Sequence, residues 1–283
     1  MKAQPLSDEL IARLPSPQGV AFALTKACRS DYVNVQEIAN LVRSDPALCG
    51  RLLMLANSAA AGGCNVIVVD DAVARIGVTG VSQVALAFSL IDQYATGACA
   101  SFSYAGFWNG SLLMAAAAKE FGTPRGLGAA GELFTLGLLS QIGCLALATA
   151  FPREYSDLIV RNVNRAELLD QEGVLFGTNH LRLSAALMTR WGIPVEEVCD
   201  FCQYEAFKAV PTATEIISKR RAQLASTAWH VALAIAQEST EAVFERHDCF
   251  SATQWLQLDR DSLNRSLSAI ESTWHLWLAL ISR

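Results

Sequence analysis

The chain has 283 residues, enough for one large domain or two smaller ones, and its 52% hydrophobic against 17% charged content fits a packed core and excludes a disordered chain. Its net charge of −5 and pI of about 5.4 argue against a general nucleic-acid surface, which needs clustered Lys and Arg to displace counterions. Eight cysteines without small-scaffold spacing read as reduced thiols, and Asp8 and Glu9 interrupt any export signal, so a cytoplasmic protein is expected.

In chain order, Asn34 and Glu37 have capping-box spacing, and Val35, Ile38, Leu41 and Val42 then share a helix face. Asp45-Pro46 predicts the next helix, with Asp as N-cap, Pro at the first position, and Leu48, Leu52 and Leu55 at helical spacing. Gly62-Gly63 break the chain, and residues 65–69 (NVIVV) read as an extended connector. Asp70-Asp71 cap a short turn ending near Gly77, and Thr79-Gly80 introduce an apolar helix to about Tyr94. An Ala-rich helix spans about 107–121 and stops before Gly122 and Pro124.

Residues 133–151 carry no charge and as one helix would run roughly 28 Å, near a bilayer core. Gln141, two Gly, Ser140 and two Thr dilute the run, so it is expected to be the buried central helix rather than a membrane span. Pro152 ends it or starts the next, and Leu183, Ala186, Leu187 and Trp191 form a face closed by Gly192 and Pro194. After Pro211 a long helix (about 214–238), a polar segment (241–248) and a Trp-rich last helix follow. In that last helix Leu263, Leu267, Ile270, Trp274, Trp277 and Ile281 alternate by four and three, a stripe wide enough for packing on the main body. No βαβ rhythm occurs, so the fold class is all-α.

Several segments together resemble the HDOD family, a helical signalling domain related to the HD phosphohydrolases. They include LPSPQGVAFAL (14–24), SDPALCGRLLMLANSA (44–59), AVARIGVTGVSQVALA (72–87), FWNGSLLMA (107–115), GELFTLGLLSQIGCLAL (131–147) and LFGTNHLRLSAALMTRWGIP (175–194). The resemblance implies a multi-helix HD-like domain over 10–208, with an appended C-terminal helical extension over 209–283 packed on it. A catalytic HD site needs His and Asp ligands converging on metal. Here Gly110 stands where the FWxHS-type pattern carries His, Ser140-Gln141 where relatives carry His-Asp before Ile-Gly, and Tyr204-Glu205 near a frequent His pair. His180 is the one imidazole left in a matching position.

The resemblance therefore implies a bacterial-type regulatory module without catalysis, metal or cofactor. Its candidate ligand pocket, at the degenerate HD site, comprises Gly110, Ser140, Gln141, His180 and Glu205. The bland reading of Ser140 and Gln141 is hydrogen-bonded burial, and of His180 a capping-turn residue beside Asn179. Partners would be other signalling proteins or a small signalling nucleotide, met at a cleft between the N-terminal and HD-like helices or near an exposed Trp108 and Trp191. No nucleic acid or membrane insertion is expected, and homo-oligomerisation through the C-terminal helix stays open. The alternatives are a phosphohydrolase with a rearranged ligand set (His180, Asp200, Glu205) and a scaffold subunit held through Trp277. Cys199 and Cys202 form a CxxC with no second pair, read as two thiols on one helix face; Lys219-Arg220-Arg221 reads as a solvated face. No GxxxxGK[ST] or GxSxG occurs.

Overall fold

The computed structural model describes residues 15, 18–28, 33–58, 66–161, 165–191, 193, 213–237, 242–246, 249 and 253–281, and among these all regular structure is helical. The N-terminal group is α1 (Gly19–Ala27), α2 (Val35–Arg43), α3 (Pro46–Ser58), α4 (Val69–Ile76) and α5 (Val78–Gln93). Two of its starts are the expected caps: Asn34 Oδ1 accepts from Gln36 N at 2.9 Å, and Asp45 Oδ1 from Leu48 N at 3.0 Å. In α2, Ile38, Ala39 and Val42 are buried, while Val35 at the edge of the expected face is exposed. Gly77, with φ of +82°, bends the chain by 102° between α4 and α5. Of the connector expected over 65–69, residues 66–68 are non-helical but Val69 already opens α4, and residue 65 and Gly62-Gly63 lie outside the described residues.

The helix expected over 133–151 is two helices, α7 (Ala130–Leu139) and α8 (Ile142–Ala150), parted at Ser140-Gln141. Ser140 Oγ donates back to Gly137 O at 2.8 Å, a side-chain bond that competes with the helical ladder, and Gln141 (φ −105°, ψ 8°) leaves helical geometry. The pair is not the hub either. That place belongs to α6 (Tyr104–Gly122), against which α7 and both long C-terminal helices pack. The run of Ala at 115–118 on α6 lets α7 come close, since a Cβ on Gly137 would lie 2.7 Å from Ala115 Cα. Ala130–Ala150 is long and apolar enough to cross a bilayer, yet 89% of its most apolar window is buried in the molecule.

Pro152 opens α9 (Pro152–Arg161), which leads to α10 (Arg165–Phe176) and α11 (His180–Arg190). The C-terminal part is α12 (Ala213–Gln237), a single turn α13 (Ala242–Glu245) and α14 (Arg260–Ile281). Leu263, Leu267, Ile270 and Trp277 of α14 are buried as its spacing predicts, and Trp274 and Ile281 flank them half-buried. Trp277 stacks on Phe134 (centroids 4.6 Å, 23°) and lies 5.0 Å from Phe88, so it is spent inside the molecule. Arg125 ties the junction by donating to Phe121 O (2.8 Å) and Leu256 O (2.7 Å).

Candidate functional site

A cleft of about 650 Å³ opens between α6, α8, α9 and α12. Gly110, Gln141 and His180, three of the five candidate residues, line it together. Gly110 is half-buried on α6, and a Cβ built there meets nothing within 4 Å, so the space that a side chain would fill belongs to the cleft. Ser140 is the exception: fully buried behind the lining, it donates to Gly137 O, with Met114 Sδ 3.2 Å from its oxygen, and it holds the α7–α8 corner rather than facing a ligand. Glu205, with Asp200 and the CxxC at Cys199 and Cys202, lies outside the described residues.

His180 is the first residue of α11, where Asn179 Oδ1 caps the helix by accepting from Arg182 N at 3.0 Å. The capping-turn reading holds for its backbone, but its side chain does more. The ring is 1% exposed and its Nδ1 lies 2.7 and 2.9 Å from the two carboxylate oxygens of Glu172, itself fully buried within α10. The same carboxylate accepts from His180 N (2.8 Å) and from the Tyr155 hydroxyl (3.2 Å). Three donors on one buried carboxylate are the pairing that makes a buried charge tolerable. Gly177, with φ of +69°, turns the chain so that residues eight apart can meet.

Cys144 borders the cleft together with His180 and Tyr155. Burial opposes the imidazolium, but its neighbours Cys144 and Glu172 outweigh it and raise the His180 pKa to about 9. Burial, reinforced by Cys144 and Glu172, pushes the Tyr155 hydroxyl well above its usual value. Behind the cluster, α8 and α11 touch backbone to backbone. A Cβ on Gly143 would overlap the His180 carbonyl oxygen, and Gly143 N donates to Ser184 Oγ (2.8 Å), which donates on to His180 O (2.8 Å).

Sequence reasoning missed Glu172, Tyr155 and Cys144, and also the opposite wall. Trp229, Leu233 and Gln237 of α12 close the cleft, so the C-terminal extension helps to build the site. A second cavity, of about 430 Å³, does lie between the N-terminal and HD-like helices, near Arg75, Lys119, Phe134 and Trp277, but none of the candidate residues lines it. Nor is there an exposed surface at Trp108 or Trp191: both are buried, and Trp108 Nε1 donates to Tyr94 O at 3.0 Å. Among the described residues, no group of three or more His, Cys, Asp or Glu is placed to hold a metal ion.

The HDOD domain profile matches residues 14–206, most of the chain. The chain belongs to the HDOD family. Among solved structures it is similar to the MmoQ response regulator of Methylococcus capsulatus str. Bath, with 33% identity over 90% of this chain and 97% of that one, at a TM-score of 0.51. An HDOD domain protein of Geobacter sulfurreducens shares the fold at a TM-score of 0.63 and 21% identity, over 94% and 92% of the two chains. A candidate phosphohydrolase of Shewanella amazonensis SB2B shares it at 0.71 and 20% identity, over 97% and 98%. At that identity the last two show the HDOD architecture alone. A comparison with curated proteins finds no match.

Proposed function

We propose that this HDOD chain is a cytoplasmic, bacterial-type regulatory module of signal transduction that works by binding, not hydrolysis. Its cleft takes a small signalling ligand, and the occupied form is the one a protein partner reads. One observation carries the reading: the imidazole facing the cleft is committed through Nδ1 to a buried carboxylate, and its neighbours in the cleft are Gly110 and Gln141. A hydrolytic metal needs several converging ligands and an open position. Glycine offers no ligand, and the Gln amide is a poor substitute for a carboxylate. Phe107 and Trp229 give the cleft aromatic walls that suit a planar base, in keeping with a signalling nucleotide. The likeness to a response regulator supports the signalling side. A ligand changes the output only if it binds one conformation better than another.

The test is total metal content by mass spectrometry on protein purified without chelator, with hydrolysis assays on cyclic and linear nucleotides plus Mn²⁺ and Mg²⁺. Binding of the same nucleotides is followed by calorimetry, with Gly110→Trp as the filled-cleft control. Metal-free, inactive protein that binds a nucleotide, and loses it in G110W, is the expected result. Stoichiometric metal with turnover would overturn the proposal.

A further inference from the structure

We propose that Arg125 and Arg220 form a second binding site, for a phosphate group carried by a small molecule, where the C-terminal extension meets the HDOD domain. The site is separate from the cleft and does not need the nucleotide reading.

The sequence prepares one wall. Arg220, Gln223 and Thr227 follow at spacings of three and four, so they share a face of α12. The three cations expected to make one solvated face therefore separate. Arg221 Nε donates to Leu127 O at 2.9 Å, Lys219 stays exposed, and Arg220 borders a cavity of about 390 Å³. Among the described residues Arg220 makes no hydrogen bond or ion pair, so nothing inside the molecule claims its charge.

The opposite wall is Arg125 with the single turn Gln254–Leu256. Thr227 Oγ1 accepts from Trp255 Nε1 at 2.7 Å and fixes the indole, and the Arg125 guanidinium lies 5.6 Å from that ring's centroid. The bonds from Arg125 to Phe121 O and Leu256 O set it in place, and they use two of a guanidinium's five N–H donors.

The charge is left without its complement. A cation withdrawn from water calls for a carboxylate, yet half-buried Arg125 is hydrogen-bonded to neutral carbonyls and no Asp or Glu borders the cavity. The acids close by in sequence are engaged elsewhere: Glu120 accepts from Ser266 Oγ (2.9 Å) and Asp259 from Ser262 N (2.7 Å). Burial lowers the Arg125 pKa, and Glu120 offsets only part of that. Two guanidiniums with the amides of Gln223 and Gln257 suit an oxyanion that accepts several hydrogen bonds, and the Arg fork matches phosphate. Gln257 reaches the rim from a φ of +52°, the one left-handed non-glycine among the described residues, a strain of the kind found at ligand clamps. The cavity falls within the roughly 300–1,000 Å³ of small-molecule sites, and the indole adds an apolar wall, so a phosphate ester fills it better than the free ion.

The experiment is calorimetry on the full chain at constant ionic strength, with ribose 5-phosphate and inorganic phosphate as the two probes. Saturable binding at one site is expected. Arg220→Ala removes no contact within the molecule and should weaken binding about tenfold. Lys219→Ala takes the same charge from the next residue and should change it by less than about twofold. Tighter binding of ribose 5-phosphate than of inorganic phosphate supports an ester as the ligand; equal affinity supports the same site with the free ion as its source. No saturable binding of either probe overturns the proposal, and so does an equal loss in R220A and K219A, which would mean diffuse attraction to a basic face. Binding should persist in Gly110→Trp. Binding that G110W abolishes and R220A spares belongs to the cleft and also overturns this site, whereas R220A-sensitive binding in a chain whose cleft takes no nucleotide sinks only the cleft reading.

Discussion

At the scale of residues, Glu172 and His180 set the chemistry of the site and a measurable pH dependence. The His180 pKa is raised in the folded state to about 9, so its contribution to stability is fully present below the ordinary value of about 6.5 and is lost as the pH rises through 9. Urea midpoints are expected to fall between pH 6.5 and 9, and to stay flat over that window in His180→Gln; a flat profile in the unmodified chain would contradict the charged pair. Gly110→Ala should raise stability by about 0.5–1 kcal/mol, because a helix-interior glycine is replaced where the Cβ has open space, and a drop in the melting midpoint would show that the space is not empty. His180 was legible through its family position and its Asn cap. Glu172 was not, because helix α10 inverts the usual pattern: the acid is fully buried while Val174 and Leu175 are 84% and 58% exposed. Periodicity reasoning places charge outside, and the inversion itself was the signal available.

At the scale of elements, the crossing of α8 over α11 is held by the absence of a single methyl group. Gly143→Ala should push His180 off the cleft or unfold the chain, at a cost of about 3 kcal/mol or more, read by denaturation together with the pH profile above. Ser184→Ala leaves the Gly143 amide without its acceptor and should cost about 1–3 kcal/mol. Helix starts at Asn34 and Asp45 were readable because capping is local chemistry. The break at Ser140-Gln141 was not, since neither residue is a breaker and the corner depends on how α7 lies against α6 and α8 against α11. The same limit hid α6 as the hub: composition favoured the most apolar segment, whereas packing favours the small residues that allow close approach.

At the scale of the whole molecule, helix content and the C-terminal packing stripe were evident from periodicity, but the part α12 plays in the cleft was not, because nothing in a sequence says which long-range face a helix covers. Trp277→Ala should cost about 3–5 kcal/mol through loss of its contacts with Phe134 and Phe88, with the molecular mass by light scattering unchanged. A change in subunit number instead would favour a scaffold role for α14.

That the cleft wall comes from α12 also has a consequence in time. Trp229 leaves the ribosome roughly fifty residues after His180, an interval of roughly 2–10 s at ordinary synthesis rates. For those seconds the half that bears Gln141, Cys144 and His180 is out while its cover is still being made, so a small molecule can enter from a side that the finished protein closes. Translation speed past codon 180 then becomes a variable in how a new copy is loaded.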